Sequence, residues 1–324
     1  MAMTEPEEHS LEDDEFEITP ETLEDDERAH ADPRGTPLPF GGDLNAVQLR
    51  ALQLARPVRT IALFGEHRSG KTTLVSEIYH ALCGGPFADH IFAESRTIAG
   101  FERRLHPARL KSGRSTEDTA RTSSNKELTY LHLRLLAEGS RTIDLAWTDR
   151  AGEDYRAVDA ATEASDLPLE LGASQQIALL IDGAKLAEAS ERANVIQRAR
   201  LSLRKLVDLH VVGKTHHVSF VTTKADLFQA AEVKPRVDAA LLGLRERCEK
   251  VRLEVGSISF FETSVRQERR MEIDLPRPYG LDQLLKHWTA PAVDAQGQVF
   301  QPKLERQLDR LLVRRYEGVT ANDE

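Results

Sequence analysis

Apolar residues recur along the chain in blocks whose spacing predicts a succession of strands and helices. Four near-continuous apolar runs have the length and composition of strands that are buried on both faces. These runs span residues 58–65, 175–182, 217–226 and 257–264. A further run at 128–136 has leucines at alternate positions, and with 142–149 it predicts an antiparallel hairpin around Gly139.

Helical spacing lies between the later strands and predicts helices at about 184–212, 235–251 and 281–289. An earlier helix is predicted at 43–55, with Asp43 as the residue that caps its N-terminus. Strands that alternate with helices indicate the α/β class. The expected architecture is a mostly parallel sheet with one antiparallel strand and helices on both faces.

The stretches outside this alternation divide the chain into three expected parts. They are an acidic disordered tail at 1–40, one large domain at 41–290 and a C-terminal extension at 291–324. Within the domain, 83–127 is expected to be a long irregular insertion with a short strand near 92–98. Leucines at helical spacing in 302–316 predict an amphipathic helix that docks on the domain, with binding to a partner as the alternative.

The charge of the chain is concentrated at its start. Net charge is −10, and residues 1–34 hold 14 of the 53 acidic residues but only two of the 43 lysines and arginines. The remainder has 39 acids and 41 bases, and this near-neutral body predicts no nucleic-acid partner. We interpret the acidic tail as a solvating segment, with an interaction arm as the alternative.

Targeting and redox features favour a cytoplasmic protein. The first residues are acidic and lack the apolar core of a signal peptide, and no apolar run approaches the ~20 residues that span a bilayer. Cys83 and Cys248 lack the spacing of a zinc or disulfide motif. We therefore expect no integral membrane segment and two reduced thiols, and the oligomeric state stays open.

The strongest chemical motif is GEHRSGKT at 65–72, which matches the pattern G-x-x-x-x-G-K-[ST] directly after an apolar strand and before a helix. In such a loop, glycines let successive backbone N–H groups surround a phosphate, and the following helix N-terminus adds a favourable dipole. Lys71 supplies a charge for the β- and γ-phosphates, and the Thr72 hydroxyl can bind Mg²⁺. The motif predicts the three-layer fold of the P-loop NTPases.

Three more motifs fall at strand ends, which share one edge of a parallel sheet with the P-loop. In DRAGE, Asp149 can hold the water shell of Mg²⁺, and the backbone N–H of Gly152 can reach a γ-phosphate. In TKAD, Asp226 can accept hydrogen bonds from guanine N1–H and the 2-amino group, while Lys224 lays its alkyl stem over the base. The loop ETSV at 262–265 can direct an N–H to guanine O6.

Together these motifs resemble the guanine-nucleotide boxes of the Ras-like, TRAFAC-class GTPases, in the same order and on the same elements, over roughly 58–290. The stretch FAESRTIAGFERR, followed by RTS, LTYLHLRLL and DRAGE, also resembles prokaryotic GTPases called double-GTPases, which are encoded in multi-gene conflict or defence-type systems. The resemblance implies a molecular switch that binds GTP and GDP with Mg²⁺ and hydrolyses GTP to GDP and phosphate. Protein partners are then expected at the switch regions.

The resemblance also implies a role for each matching residue. The phosphates would be cradled by Gly65, Glu66, His67, Arg68, Ser69, Gly70, Lys71, Thr72 and Thr73. The base would be bound by Lys224, Asp226, Ser264 and Val265. The catalytic set would be Lys71, Gly152 and Glu153. Mg²⁺ would be bound by Thr72, by a switch threonine, and through water by Asp149; Thr122 is our choice of switch residue and Thr119 the runner-up.

Departures from the family pattern leave alternatives open. Glu153 stands where these enzymes usually have glutamine, and its charge would face the γ-phosphate unfavourably, so hydrolysis is expected to be slow or partner-stimulated. His67 occupies a position that is often glycine, where its ring can obstruct an arginine supplied in trans. Candidates for an arginine in cis are Arg114, Arg121 and Arg150. The alternative functions are a nucleotide-binding scaffold with little or no hydrolysis and a P-loop ATPase.

Overall fold

The computed structural model of the protein describes residues 41–105, 128–137, 141–150, 161–265 and 278–291. Within these residues seven strands form a single sheet. The strands are β1 (Val58–Phe64), β2 (His90–Glu94), β3 (Thr129–Ala137), β4 (Thr142–Asp149), β5 (Gln176–Asp182), β6 (His217–Thr223) and β7 (Ser257–Glu262). They lie in the order β2-β3-β4-β1-β5-β6-β7, and among them β3 alone runs against the direction of the others. The predicted sheet and its hairpin are confirmed.

Helices cover both faces of this sheet. They are α1 (Ala46–Ala55), α2 (Lys71–Cys83), α3 (Ile98–Leu105), α4 (Leu169–Ala173), α5 (Gly183–Ala187), α6 (Ala189–Asp208), α7 (Lys234–Cys248) and α8 (Leu281–Thr289). Short 3₁₀ turns lie at Ala164–Asp166, Ala225–Phe228 and Glu249–Glu254. The arrangement is the predicted three-layer α/β fold.

Two large apolar cores, and a smaller cluster in which α1 packs on β3 and β4, hold the layers together. On one face, residues of α2, α3 and α8 pack on the sheet, and the buried ring of Trp147 on β4 lies 6.1 Å from that of Trp288 on α8. On the other face, residues of α6 and α7 pack on the sheet, and Phe220 of β6 stacks on Phe260 of β7 at 5.0 Å. Trp147 and Phe220 are both fully buried.

The topology gathers the carboxyl ends of six strands at one edge. The central strand β1 pairs in parallel with β4 on one side and β5 on the other, so the strand order reverses on either side of it. In open α/β sheets, ligands bind at this switch point, outside the carboxyl ends of the strands. The loop after β1 is therefore flanked by the ends of β4, β5 and β6.

The first helix corrects one prediction. Asn45, and not Asp43, caps α1, since the Asn45 side chain accepts the Gln48 N–H at 2.9 Å and the Gln48 side chain accepts the Asn45 N–H at 2.9 Å. This reciprocal pair is a capping box, which satisfies two backbone donors at once. Asp43 lies two residues earlier and is engaged elsewhere.

The segment after α2 is more ordered than predicted. The short strand expected near 92–98 is β2, and it is followed by α3, a helix that the sequence reasoning did not predict. The helix α3 has only eight residues, and it buries Phe101 and Leu105. An isolated helix of this length is marginal in water, so the burial of Phe101 and Leu105 in the core stabilises it.

Two element ends also differ from their predicted positions. The run at 217–226 stays extended only to Thr223, because Lys224 adopts a left-handed backbone (φ 51°) and turns the chain out of the sheet. The run at 184–212 contains two helices, since Glu188 has extended backbone angles between α5 and α6.

Other predictions fall outside the described residues. They include the acidic tail at 1–40, most of the insertion beyond Leu105 and the amphipathic segment at 302–316. The domain boundaries therefore stay predictions. Of the helices described, none has both the length and the apolar character that a membrane span requires.

Candidate nucleotide-binding site

The loop at 65–70 and the start of α2 form the centre of the site. β1 ends at Phe64, and α2 begins at Lys71. Gly70 caps the helix with φ 88°, a left-handed conformation that glycine adopts without steric cost. Arg68 also has a positive φ of 61°, which is uncommon for a side-chain-bearing residue. These angles turn the chain sharply from strand into helix, as a phosphate-binding loop requires.

Lys71 points back over the loop that precedes it. Its ammonium donates to the carbonyl oxygens of Gly65 at 2.8 Å and Glu66 at 2.9 Å, and the residue is buried. These neutral carbonyl oxygens hold the Lys71 ammonium against the loop. A phosphate oxygen bears charge and is therefore a stronger acceptor than either carbonyl.

An oxygen pair lies beside the loop, between the start of α2 and the end of β4. The Thr72 hydroxyl lies 3.4 Å from Asp149 Oδ1, and the Asp149 carboxylate is buried. Mg²⁺ takes oxygen ligands and is usually bound by one or two protein groups together with waters and substrate phosphates. Thr72 and Asp149 fit that requirement, and the part of the chain described here has no cluster of three or more metal-binding side chains.

Asp149 has a further partner that sequence reasoning missed. Arg104, at the end of α3, donates to Asp149 Oδ2 from Nε at 3.2 Å and from Nη2. The same guanidinium forms two parallel bonds to Asp43, of 2.8 and 2.7 Å. Burial alone would lower the pKa of Arg104, but the two carboxylates raise it, so the guanidinium stays charged. Burial opposes ionisation of Asp43 too, yet Arg104 keeps the pKa of that carboxyl below its usual value.

The predicted base-recognition residues converge at the ends of β6 and β7. Asp226 is 2 % exposed, and its Oδ1 accepts the Ser264 hydroxyl at 2.5 Å. The Lys224 ammonium lies 3.0 Å from the carboxylate of Asp182, at the end of β5. Ser264 therefore orients the Asp226 carboxylate, and Asp182 holds the lysine stem along the rim of the site. Val265 lies beside Ser264 and is partly buried.

Thr223 joins the two halves of the site. Its hydroxyl lies 2.8 Å from the carbonyl oxygen of Ser69 in the P-loop and 3.3 Å from that of Ile181 on β5. Thr223 is buried, and it is the first residue of the TKAD motif. The TKAD loop and the P-loop are thus connected by a direct hydrogen bond, which sequence reasoning did not predict.

The acidic residue of the P-loop is neutralised by neighbouring helices. The Glu66 carboxylate pairs with Lys185 of α5 at 2.5 Å and with Arg198 of α6. A carboxylate in a phosphate-binding loop would repel a nucleotide, and two cations beside it offset that repulsion. His67 and Thr73 also lie in the described loop and first helical turn.

Several predicted residues are not among those described. Thr122, Thr119, Gly152, Glu153, Arg114 and Arg121 all lie in the segments 106–127 and 151–160. Arg150 is described, and it pairs with the buried Glu170 at 2.6 Å. The roles assigned to the first group stay predictions.

A strand–loop–helix phosphate cradle at the switch point of a parallel sheet, with an acid on the neighbouring strand, defines a P-loop nucleotide-binding protein. The family that matches within this class is Double-GTPase 2 (DO-GTPase2), whose sequence profile covers residues 59–289. The chain belongs to that family and is a P-loop GTPase of the double-GTPase type.

Solved structures similar to the chain include the SRb-GTP/SRX complex of the signal recognition particle receptor from Chaetomium thermophilum. It has a TM-score of 0.37 and 15% identity, over 66% of this chain and 94% of that one. The Ski7 GTPase-like domain of S. cerevisiae bound to GTP has a TM-score of 0.43 and 14% identity, over 75% of this chain and 53% of its own. The structure of that domain bound to GDP and inorganic phosphate has a TM-score of 0.42 and 12% identity, over 73% of this chain and 50% of its own. The chain thus spans about half the length of the Ski7 chains. No curated protein matches it.

Proposed function

We propose that the protein is a guanine-nucleotide switch that binds GTP and GDP with Mg²⁺ and hydrolyses GTP to GDP and phosphate. One observation carries the proposal. The Thr223 hydroxyl in the TKAD loop donates a hydrogen bond of 2.8 Å to the carbonyl oxygen of Ser69 in the P-loop, so Lys71 and Asp226 lie at the same edge of the sheet. A nucleotide with its phosphates at the P-loop can extend its base towards Asp226.

The phosphate half of the site supports tight binding of a triphosphate. In the proposal, residues 65–73 surround the β-phosphate with backbone N–H groups, and Lys71 exchanges its carbonyl partners for phosphate oxygens. Thr72 would bind Mg²⁺ directly and Asp149 through water, as their adjacent oxygens suggest. When bound, Mg²⁺ supplies neutralisation of charge on the β- and γ-phosphates.

The base half of the site supports selectivity for guanine. The Asp226 carboxylate is buried and oriented by Ser264, so it can accept the N1–H and 2-amino donors of guanine. Adenine lacks this pair of adjacent donors, so the desolvated carboxylate would keep only its bond from Ser264, and the loss of the base's donors costs free energy. Lys224 would cover one face of the base, and Val265 would lie at its edge.

Hydrolysis and switching would involve residues outside the described part of the chain. We propose that Gly152 senses the γ-phosphate, that Glu153 orients the attacking water, and that Thr122 completes the metal site. Nucleotide-dependent ordering of 110–125 and 149–160 would then present a surface to protein partners. Since Glu153 replaces the usual glutamine, the intrinsic rate is expected to be slow.

A single-turnover assay tests the proposal. Protein in excess over GTP labelled on its γ-phosphate is incubated with Mg²⁺, and phosphate release is followed with time. Release should occur at a low but measurable rate, and it should be abolished in Lys71→Ala and Asp149→Ala. Tight GTP binding without release would instead identify a nucleotide-binding scaffold. Release from ATP at an equal rate would identify an ATPase.

A further inference from the structure

Arg104 spans the space between two carboxylates and uses all of its donors. An arginine side chain has five N–H groups, one on Nε and two on each Nη. Here Nε and Nη2 reach Asp149, Nη1 and Nη2 reach Asp43, and Nη1 also donates to the carbonyl oxygen of Gly100 at 2.7 Å. The side chain of Arg104 is 10 % exposed. Because all five donors are engaged, these hydrogen bonds hold the guanidinium of Arg104 in one position.

The surrounding chain is built to hold this arrangement. A Cβ atom on Gly100 would lie 2.5 Å from Asp43 Oδ1, so the approach of Asp43 to Arg104 requires a glycine there. Asp43 is fixed because Leu44 pairs with Tyr130 of β3 through two backbone bonds of 2.9 and 2.8 Å. The segment that enters the domain is thus part of the surroundings of Asp149.

The two oxygens of Asp149 have different partners. Oδ1 faces the Thr72 hydroxyl at 3.4 Å, whereas Oδ2 accepts both bonds from Arg104. Arg104 therefore binds the oxygen away from Thr72 and fixes the rotation of the carboxylate. The buried charges, two carboxylates and one guanidinium, sum to −1 and therefore still attract a cation. Arg103 also lies 3.8 Å from Asp43, but its side chain is 57% exposed, so water screens its charge.

We propose that Arg104 is a positioning residue for nucleotide-bound Mg²⁺. It holds Asp149 Oδ2 so that Oδ1 stays turned towards Thr72, and Asp43 supplies the second negative charge that keeps Arg104 from cancelling that of Asp149. The proposal rests on the metal role given to Asp149 under the proposed function. It assigns a role in metal binding to Asp43, on the segment that precedes the first helix.

The test measures Mg²⁺ affinity and not turnover. Protein loaded with a fluorescent GDP analogue is mixed with excess GDP, and analogue release is timed over a range of free Mg²⁺ concentrations. The wild type should release the analogue more slowly as Mg²⁺ rises, with a defined half-effect concentration. If Mg²⁺ has no effect on the wild type, the proposed function itself fails.

Arg104→Gln should raise the half-effect Mg²⁺ concentration by about 10-fold, the usual scale for loss of a group that orients a metal ligand. Arg104→Lys should have a half-effect Mg²⁺ concentration between those of the wild type and Arg104→Gln, because a lysine keeps the charge but cannot form the paired hydrogen bonds of a guanidinium. Asp43→Asn should also raise the half-effect Mg²⁺ concentration. Arg104 and Asp149 are intact in this variant, but the group loses its net negative charge. Should Arg104→Gln not fold, these two variants still decide the matter.

Arg56→Gln is a matched control. Arg56 is also a largely buried arginine between two carboxylates, Asp144 at 3.0 Å and Glu94 at 3.1 Å, at the other end of β4. Its loss should lower the melting temperature without moving the Mg²⁺ response. An unchanged half-effect concentration in folded Arg104→Gln would overturn the proposal. A decrease would also overturn it, because Arg104 would then compete with Mg²⁺ for Asp149.

Discussion

Replacing Asp226 by asparagine should change which base the site prefers, from guanine to xanthine. Asparagine has nearly the volume of aspartate, and its side-chain oxygen can still accept the Ser264 hydroxyl that now lies 2.5 Å from Asp226 Oδ1. The fold should therefore survive. What changes is the second oxygen, which becomes an NH₂ donor and faces a donor of guanine.

The size of the effect follows from the burial of this side chain. A hydrogen bond to a charged group contributes about 1.5–3 kcal/mol, and an unsatisfied buried donor costs about 1–3 kcal/mol. Asp226 is 2 % exposed, so water offers little compensation. The sum of about 2.5–6 kcal/mol corresponds to a loss of GTP affinity of about 10²–10⁴-fold. Xanthine has a carbonyl in place of the 2-amino group and should recover most of that loss.

A competition assay measures this change directly. A fluorescent GDP analogue is displaced from wild type and from Asp226→Asn by GTP, XTP and ATP, and the three apparent Kd values are compared. Asp144→Asn is a control. It removes a buried carboxylate near the amino end of β4, away from the site, and should leave the base preference unchanged. If Asp226→Asn keeps GTP affinity within threefold and gains none for XTP, the assignment of Asp226 to the base is refuted.

Three further predictions concern the supporting structure. Thr223→Val removes the bond to the P-loop and should speed GDP release by about 5- to 30-fold in a fluorescence chase, from ~1–2 kcal/mol lost; an unchanged rate would count against the link. Gly100→Ala should lower stability by about 1–3 kcal/mol in urea unfolding, since its Cβ meets an oxygen at 2.5 Å, whereas Gly243→Ala, with nothing within 4 Å, should raise it by about 1 kcal/mol; the same sign for both would contradict this. Burial raises the pKa of Cys248 to about 11, so iodoacetamide at pH 8 should modify the exposed Cys83 and spare Cys248 until the protein unfolds, as checked by mass spectrometry.

The parts of the site that lie within single motifs were predictable from sequence. The P-loop follows an apolar strand and opens a helix, and TKAD and ETSV close two further strands, so each motif carries its own structural context. Because parallel strands end at one edge, their motifs had to meet there. The positions of Lys71, Asp149 and Asp226 at that edge follow from the order of the elements alone.

The contacts between motifs were not predictable in the same way. Arg104 lies 45 residues from Asp149 and 61 from Asp43, and Thr223 lies 154 from Ser69. Single-sequence periodicity reports local structure, and it has no signal for which distant side chains share a buried space. The helix that carries Arg104 was itself missed because its eight residues are too few for a helical period to stand out within an irregular stretch.

The most direct test of the central claim is a calorimetric titration of nucleotide-free protein with GDP and, in parallel, with ADP, both in the presence of Mg²⁺. The proposed site should bind GDP with saturation at one molecule per chain and give no measurable heat of binding with ADP. Equal affinity for the two nucleotides, or binding of ADP alone, would contradict a site in which Asp226 reads guanine.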